Sequence, residues 1–489
     1  MHGFPAIRVR AVNRAPLRDG DHVLYWMTAA RRTRWNFALQ RAVERARELH
    51  KPLIVFEALR AGHRWASDRF HAIVLAGMAE NAADCARAGV AYHAYVEPIP
   101  DAGKGLLAAL AKRACVVVAD DWPCFFLPRM LAAPGAHLDV ALEAVDGNGL
   151  LPLRAVDTAY PTAYAFRRLL QNKLPLFLRQ MPVEEPLAAL AGMPMASLPP
   201  EVLARWPAPD ADLLAAKPTA IARLLIDHAV APVAEAAGPL AARQRLRDFV
   251  AEDLATYDQT KHPDDPRTSR LSAHLHWGHL SAHEVVTSVL ERSGWTPDRL
   301  ATKATGAKEG WWGIDAAGEA FLDQVVTWRE LGFNACAHLP GYDTYDALPS
   351  WARATLEEHA GDPRTHRYTL EQFELGETHD ELWNAIQRQL RGEGRIHTYL
   401  RMLWGKKVLE WTRSPREAAE VLVALNDRWA IDGRDPNSYS GIFWTLGRYD
   451  RPWAPLRPVF GSIRFMSSAN TARKLHVKAY LARWAATPL

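Results

Sequence analysis

Three tryptophans, Trp383, Trp404 and Trp411, fall in the stretch DELWNAIQRQLRGEGRIHTYLRMLWGKKVLEW, residues 380–411. Indole is among the side chains easiest to oxidise, so a line of them can pass single electrons as well as pack. Trp404 and Trp411 are seven residues apart, which on a helix places them on one face about 10.5 Å apart along its axis. Gly392 and Gly394 break the stretch into two helices and let the first fold back, bringing Trp383 to that face. On spacing alone core packing and an electron relay both stand, packing being the commoner use.

Other segments carry polar chemistry. In TSRLSAHLHWGHLSAHEVV (268–286) Thr268, Ser269 and Ser272 precede an apolar-periodic helix. Free N–H groups and the positive dipole end suit an anion there. With Arg270 they make either a diphosphate cradle or an ordinary capped helix start. His274, His276, His279 and His283 follow on the same helix without HExxH or a carboxylate at ligand spacing. Helix-surface and hydrogen-bonding histidines are expected, and no metal site. LNDRWAIDGRDPNSYSGIFW (425–444) reads as a polar loop lining a ligand, or as a surface loop held by Asx-turns; its groups are Asn426, Asp432, Arg434, Asp435 and Asn437. Arg401 shares the helix face of Trp404 and, if buried, needs an acid such as Asp432. FLDQVVTWRELGFN (321–334) puts Gln324 and Trp328 one helical turn apart, an amide and an indole able to recognise a nucleobase together. From Thr445 onward Arg448, Arg451, Arg457, Arg464, Arg473, Lys474, Lys478 and Arg483 face one acid, Asp450, and aromatic residues interleave with them. That composition suits a phosphate backbone with splayed bases, or a solvated basic tail.

These groups need a frame. The chain has 489 residues, about three domains by length, and 49% hydrophobic residues, enough for a sizeable core. Cys85, Cys115, Cys124 and Cys336 form no CxxC pair, which argues against a disulfide framework or a cysteine-built metal site. Without a signal-like or membrane-spanning apolar run, a soluble cytoplasmic protein is expected. Near-continuous apolar strands at 22–27, 52–58, 90–96, 114–120 and 138–145 alternate with amphipathic helices. They predict a Rossmann-like α/β domain over 1–150 with a doubly wound parallel sheet. No GxGxxG follows the first strand, which argues against an ordinary NAD site, and the lack of GxxxxGK[ST] argues against an NTPase. Eight prolines between 182 and 218 predict an extended connector within a linker over 151–217. Residues 218–489 predict an all-α domain with long loops at 257–270, 300–316 and 430–462.

Taken together, the segments resemble the photolyase/cryptochrome family, and within it the class II cyclobutane pyrimidine dimer photolyases. TSRLSAHLHWGHLSA, NACAHLPGYDTYDALPSWARATLEEHAGDPR, IHTYLRMLWGKKVLEW, LNDRWAIDGRDPNSYSGIFW and RPVFGSIRFM carry the resemblance most strongly; VLYWMTAARRTRWNFAL carries it more weakly. The resemblance implies an N-terminal antenna domain and a C-terminal helical domain holding FAD. Tyr257, Thr268, Ser269, Leu271 and Ser272 would contact its phosphates, Arg401 and Asp432 would pair near the isoalloxazine, and Asn426 would lie near flavin N5. Trp404, Trp383 and Trp411 would form the electron-transfer triad in that order from flavin to surface. Trp328 and Trp444 would flank a flipped pyrimidine dimer, and Arg464 would contact DNA in the gap that the lesion leaves. The partner implied is UV-damaged DNA bound by a monomer; an antenna chromophore of deazaflavin or folate type stays open.

Four positions depart from the family pattern, two of them in one loop. Gln324 stands where class II photolyases usually carry glutamate, Thr398 follows His397 where glycine is usual, and NSYSG replaces NGYVG. A cryptochrome-like photoreceptor and (6–4) photoproduct repair, with His397 as its candidate histidine, are the alternatives.

Overall fold

Nearly every residue of the strand His22–Met27 is apolar, as expected for a strand covered on both faces. In the computed structural model, which describes residues 4–259, 262–264 and 267–485, it lies at the centre of a six-stranded sheet. The chain forms two compact units: the first comprises 1–157, 172–251 and 269–297, the second 158–171, 252–268 and 298–489.

In the first unit, β1 (Val9–Ala11), β2 (His22–Met27), β3 (Leu53–Leu59), β4 (Ala91–Val96), β5 (Ala114–Asp120) and β6 (Leu142–Val145) run in the order β1-β6-β5-β2-β3-β4. All pairs are parallel except β1 with β6, so the expected parallel sheet carries an antiparallel edge strand. Side-chain alternation divides the core. Leu24, Trp26, Ile54, Phe56 and Val117 face one layer, while Val23, Tyr25, Val55 and Val118 face α1 (Phe37–Leu49) in the other. The last strand begins at Leu142, later than expected.

The proline-rich segment is packed chain, not an extended connector. Leu187 and Leu190 join one sheet layer, Val202 and Trp206 join the other, and Leu213, Ile221 and Leu224 cover Val74, Leu75 and Met78 of α2 (Asp68–Arg87). Pro186, Pro200 and Pro218 each open a short helical turn, where a missing N–H does no harm. The contact boundaries therefore differ from divisions at 150 and 217.

The segment 268–286 is likewise not one helix. It forms α3 (Ser272–His276) and α4 (Ala282–Arg292), separated at Gly278. Gly278 has φ +75°, and a Cβ there would lie 1.8 Å from the Ala29 carbonyl oxygen, so only glycine admits the β2 loop. His274, His279 and His283 are buried instead of lining a helix surface. His279 Nδ1 accepts the Gly238 N–H at 3.1 Å, and burial holds this imidazole well below its ordinary pKa, hence neutral. No group of three or more His, Cys, Asp or Glu among the described residues is placed to hold a metal ion.

The second unit is helical. Its site rests on α5 (Arg329–His338), α6 (Glu381–Glu393), α7 (Thr398–Trp411), α8 (Pro415–Trp429) and α9 (Pro436–Trp444). The expected 430–462 loop is thus interrupted by α9, which Pro436 starts and Asp435 caps. Among the described residues no helix is long and apolar enough to cross a membrane.

Candidate functional site

The helices α6 and α7 meet at Gly394, whose φ of +69° ends α6 and whose missing Cβ leaves room for Ile431. The fold-back places Trp383 between the other two indoles. Trp383 and Trp404 are nearly parallel, 4° apart with centroids at 6.4 Å; Trp383 and Trp411 lie edge to face at 6.0 Å. All three are fully buried. Trp383 Nε1 donates to the Trp404 carbonyl at 3.0 Å, and Trp404 Nε1 donates to Gln387 Oε1 at 3.0 Å. Both acceptors are neutral amide oxygens, so these two indole N–H groups face no base. The distal member departs from expectation. Trp411 is 1% exposed, covered by Tyr368 and His379, so it does not itself reach the surface.

Arg401 lies in the first turn of α7 and Asp432 in the turn after α8; their contact is 3.4 Å with both side chains about four-fifths buried. So loose an ion pair leaves guanidinium N–H groups for a further acceptor. Asn426, in the last turn of α8 and not in a loop, donates through Nδ2 to Ser438 Oγ at 2.7 Å and to Asp427 Oδ1 at 3.3 Å. Its amide oxygen is what it has to offer a ligand. Asp427 also accepts the Tyr439 hydroxyl and the Arg434 N–H at 3.0 and 3.1 Å; burial raises its pKa, against the pull of Arg434. Asp435 serves as the α9 cap, accepting the Asn437 N–H at 2.9 Å.

Tyr257 packs edge to face on Phe321, and burial pushes its phenol up to about 12, so it stays a neutral hydroxyl. Thr268 belongs to the same unit. Ser269, Arg270, Leu271 and Ser272 are counted in the first unit. There Leu271 occupies the N-cap of α3 without a side-chain cap, and Arg270 has φ +54°. Ser269 Oγ lies 3.5 Å from the Leu271 N–H, a long local contact at the helix start, so both readings of these hydroxyls stand.

Gln324 and Trp328 lie on a π-helical turn, Asp323–Trp328, leading into α5. Such turns recur at functional sites because they re-aim side chains. Buried Asp323 holds this turn through Arg167, at 2.8 and 3.1 Å. Gly332 lets α5 approach the backbone of Pro436 in α9: a Cβ there would meet it at 2.8 Å. That approach brings Trp328 onto Trp444, stacked with centroids at 4.7 Å and planes 15° apart. At this spacing the two rings of the pair touch face to face. Gln324 is exposed beside it. Beyond α9, exposed Arg464 stacks on Trp453 at 5.0 Å and Arg457 on Phe465 at 4.9 Å.

Gln387, Asp427 and Lys406 were not singled out from the sequence. Gln387 lies one turn beyond Trp383 on α6, which was the available signal; Asp427 adjoins Asn426 but reads as a surface acid.

No protein-family model matches the chain. It is 30% identical to the deoxyribodipyrimidine photo-lyase of Methanothermobacter thermautotrophicus over 98% of both chains. It is 32% identical to that of Oryza sativa subsp. japonica over 97% of this chain and 89% of the other. With that of Potorous tridactylus it shares 31% identity over 98% and 84%. In fold it resembles a bacterial class III photolyase from Agrobacterium tumefaciens, with TM-score 0.68 at 17% identity over 95% of this chain and 86% of that one.

Proposed function

The chain belongs to the deoxyribodipyrimidine photo-lyase family, and on that premise we propose that it is a class II enzyme splitting cyclobutane pyrimidine dimers flipped out of DNA. The observation that carries this reading is the Trp328–Trp444 stack beside exposed Gln324, followed in the chain by Arg457 and Arg464. Chemistry on a stacked base requires the base out of the duplex, and indole faces and cations are what receive it and its backbone.

The residues present fit FAD. Reduced FAD, when bound, supplies the single electron that opens the cyclobutane ring and recovers it afterwards. Asn426, with its amide protons engaged, presents an acceptor suited to a protonated ring nitrogen. Arg401, held by Asp432, supplies positive charge and donors beside the ring system, favouring its anionic reduced form. Trp404, Trp383 and Trp411 carry electrons inward. Gln324 donates and accepts neutral hydrogen bonds to the base edges, without the charge a carboxylate would bring. The platform receives the dimer on its open face or parts to admit it. His397, the candidate for (6–4) chemistry, caps α7 through Nδ1, which accepts the Tyr399 N–H at 3.3 Å. That engagement weighs against its acting as an acid.

Purified protein should release FAD and, once the flavin is reduced, restore thymine absorbance to a dimer-containing oligonucleotide under blue light. No restoration with the flavin fully reduced would end the repair reading. The same assay on Gln324→Glu should give a yield severalfold higher, since a charge-assisted hydrogen bond is about twice as strong as a neutral one; an equal yield would show that this position does not limit repair. A spectrum of released cofactors decides whether an antenna chromophore is carried.

A further inference from the structure

Among the described residues Lys406 is the most deeply buried amine of the helical unit. It is fully enclosed on α7, two residues beyond Trp404, and its Nζ donates to the Thr445 carbonyl at 2.5 Å. Thr445 directly follows Trp444 and is the C-cap of α9. Gly405 makes the approach possible, since a Cβ there would stand 2.6 Å from Thr445 Cγ2. A long cationic side chain is seldom buried without a task, because removing an ammonium from water costs several kcal/mol. Here it lies where a helix C-terminus concentrates negative partial charge.

We propose that Lys406 is a positioning residue: its ammonium ties the relay helix to the end of α9 and so fixes Trp444 against Trp328 for lesion binding. This inference rests on the reading of that indole pair as the dimer platform.

The groups around Lys406 make the tie responsive to protons. Burial lowers its pKa from the usual 10.5 to about 7, Asp450 opposes this, and Arg464 adds to it. Asp450 is itself engaged, its Oδ1 accepting from Trp453 Nε1 at 3.1 Å and from the Arg451 N–H at 2.9 Å. On the same helix Lys407 turns away to Glu410, at 2.7 Å. The amine is thus charged below about pH 7 and neutral above it. The hydrogen bond persists in both forms, but the attraction of charge for the helix end is lost as pH rises.

The test compares binding of a thymine-dimer duplex with its undamaged counterpart, by fluorescence anisotropy, from about pH 6 to about pH 9. For the unaltered protein the preference for the dimer should fall severalfold as pH rises through the Lys406 pKa. Lys406→Met should lower the preference roughly tenfold at the acid end, the worth of one charged hydrogen bond, and remove its pH dependence. Lys406→Gln, which keeps a donor, should recover part of the preference but stay flat with pH. Met at position 406 with unchanged preference would overturn the proposal; so would a wild-type pH profile in Lys406→Gln, which decides the matter if the methionine variant does not fold. Absence of any dimer preference in the unaltered protein would instead remove the platform reading itself.

Discussion

Replacing Trp383 with phenylalanine is expected to cut light-driven reduction of the bound flavin far more than any other single change in α6, while leaving flavin content intact. The 6.4 Å parallel contact to Trp404 and the 6.0 Å contact to Trp411 both run through this ring. Phenylalanine fills most of the same space, so the loss of packing is modest. Its ring is much harder to oxidise, however, and every 1.36 kcal/mol added to a barrier slows the step about tenfold, so the rate should fall well beyond tenfold. Photoreduction with an external thiol as the final electron donor would be followed by the flavin absorbance. Chemical reduction should restore dimer splitting to the variant, because on the proposed reading the stack only refills the cofactor. Wild-type photoreduction in Trp383→Phe would mean that the indole stack is core packing after all. Trp411 is enclosed by Tyr368 and His379, so on this reading an external donor would have to reach it across those side chains.

The indole stack was legible because two local signals coincide, a helix-face spacing and a glycine break, though the break falls at Gly394 alone and Gly392 lies within α6. The central strands were legible for a similar reason: strands buried on both faces are apolar throughout. Val9–Ala11 was not, since a three-residue edge strand with Arg10 at its centre has no apolar pattern to read. Prolines misled at 182–218, because the residue that ends helices also starts short ones. Periodicity misled at 268–286, where the histidines keep helical spacing across a turn that only the φ of Gly278 reveals. Nor does local pattern show that 172–251 and 269–297 pack with the sheet, because that depends on contacts distant in sequence. In the site, Arg401, Asp432 and Asn426 were legible from helix-face spacing and loop composition, their roles came from the resemblance, and the partners of Asn426 came only from the geometry. Lys406 was invisible for a physical reason: a lysine on a helix normally reads as solvated, and only the approach allowed by Gly405 encloses it.

The second large effect is expected at the platform. Replacing Trp444 with alanine should weaken binding of a dimer-containing duplex by about 10- to 100-fold, since one base stacked on an aromatic ring is worth about 1–3 kcal/mol. Undamaged duplex should be held nearly as before, because it has no flipped base to stack and its binding would rest on phosphate contacts from cationic groups such as Arg457. Trp328→Ala should cost a similar amount for a different reason: Trp328 supports Trp444 from behind at 4.7 Å, and without it the remaining indole is free to turn. Two residues acting as one surface do not add, so the double variant should be little weaker than either single one. If the indoles instead part and grip the dimer from opposite sides, each makes its own stacking contact and the losses should come closer to adding. Binding isotherms of the four proteins on damaged and undamaged duplex distinguish these arrangements. Equal affinity of Trp444→Ala and the unaltered protein for the dimer would show that the stacked pair is structural, and would place lesion recognition elsewhere in the helical unit.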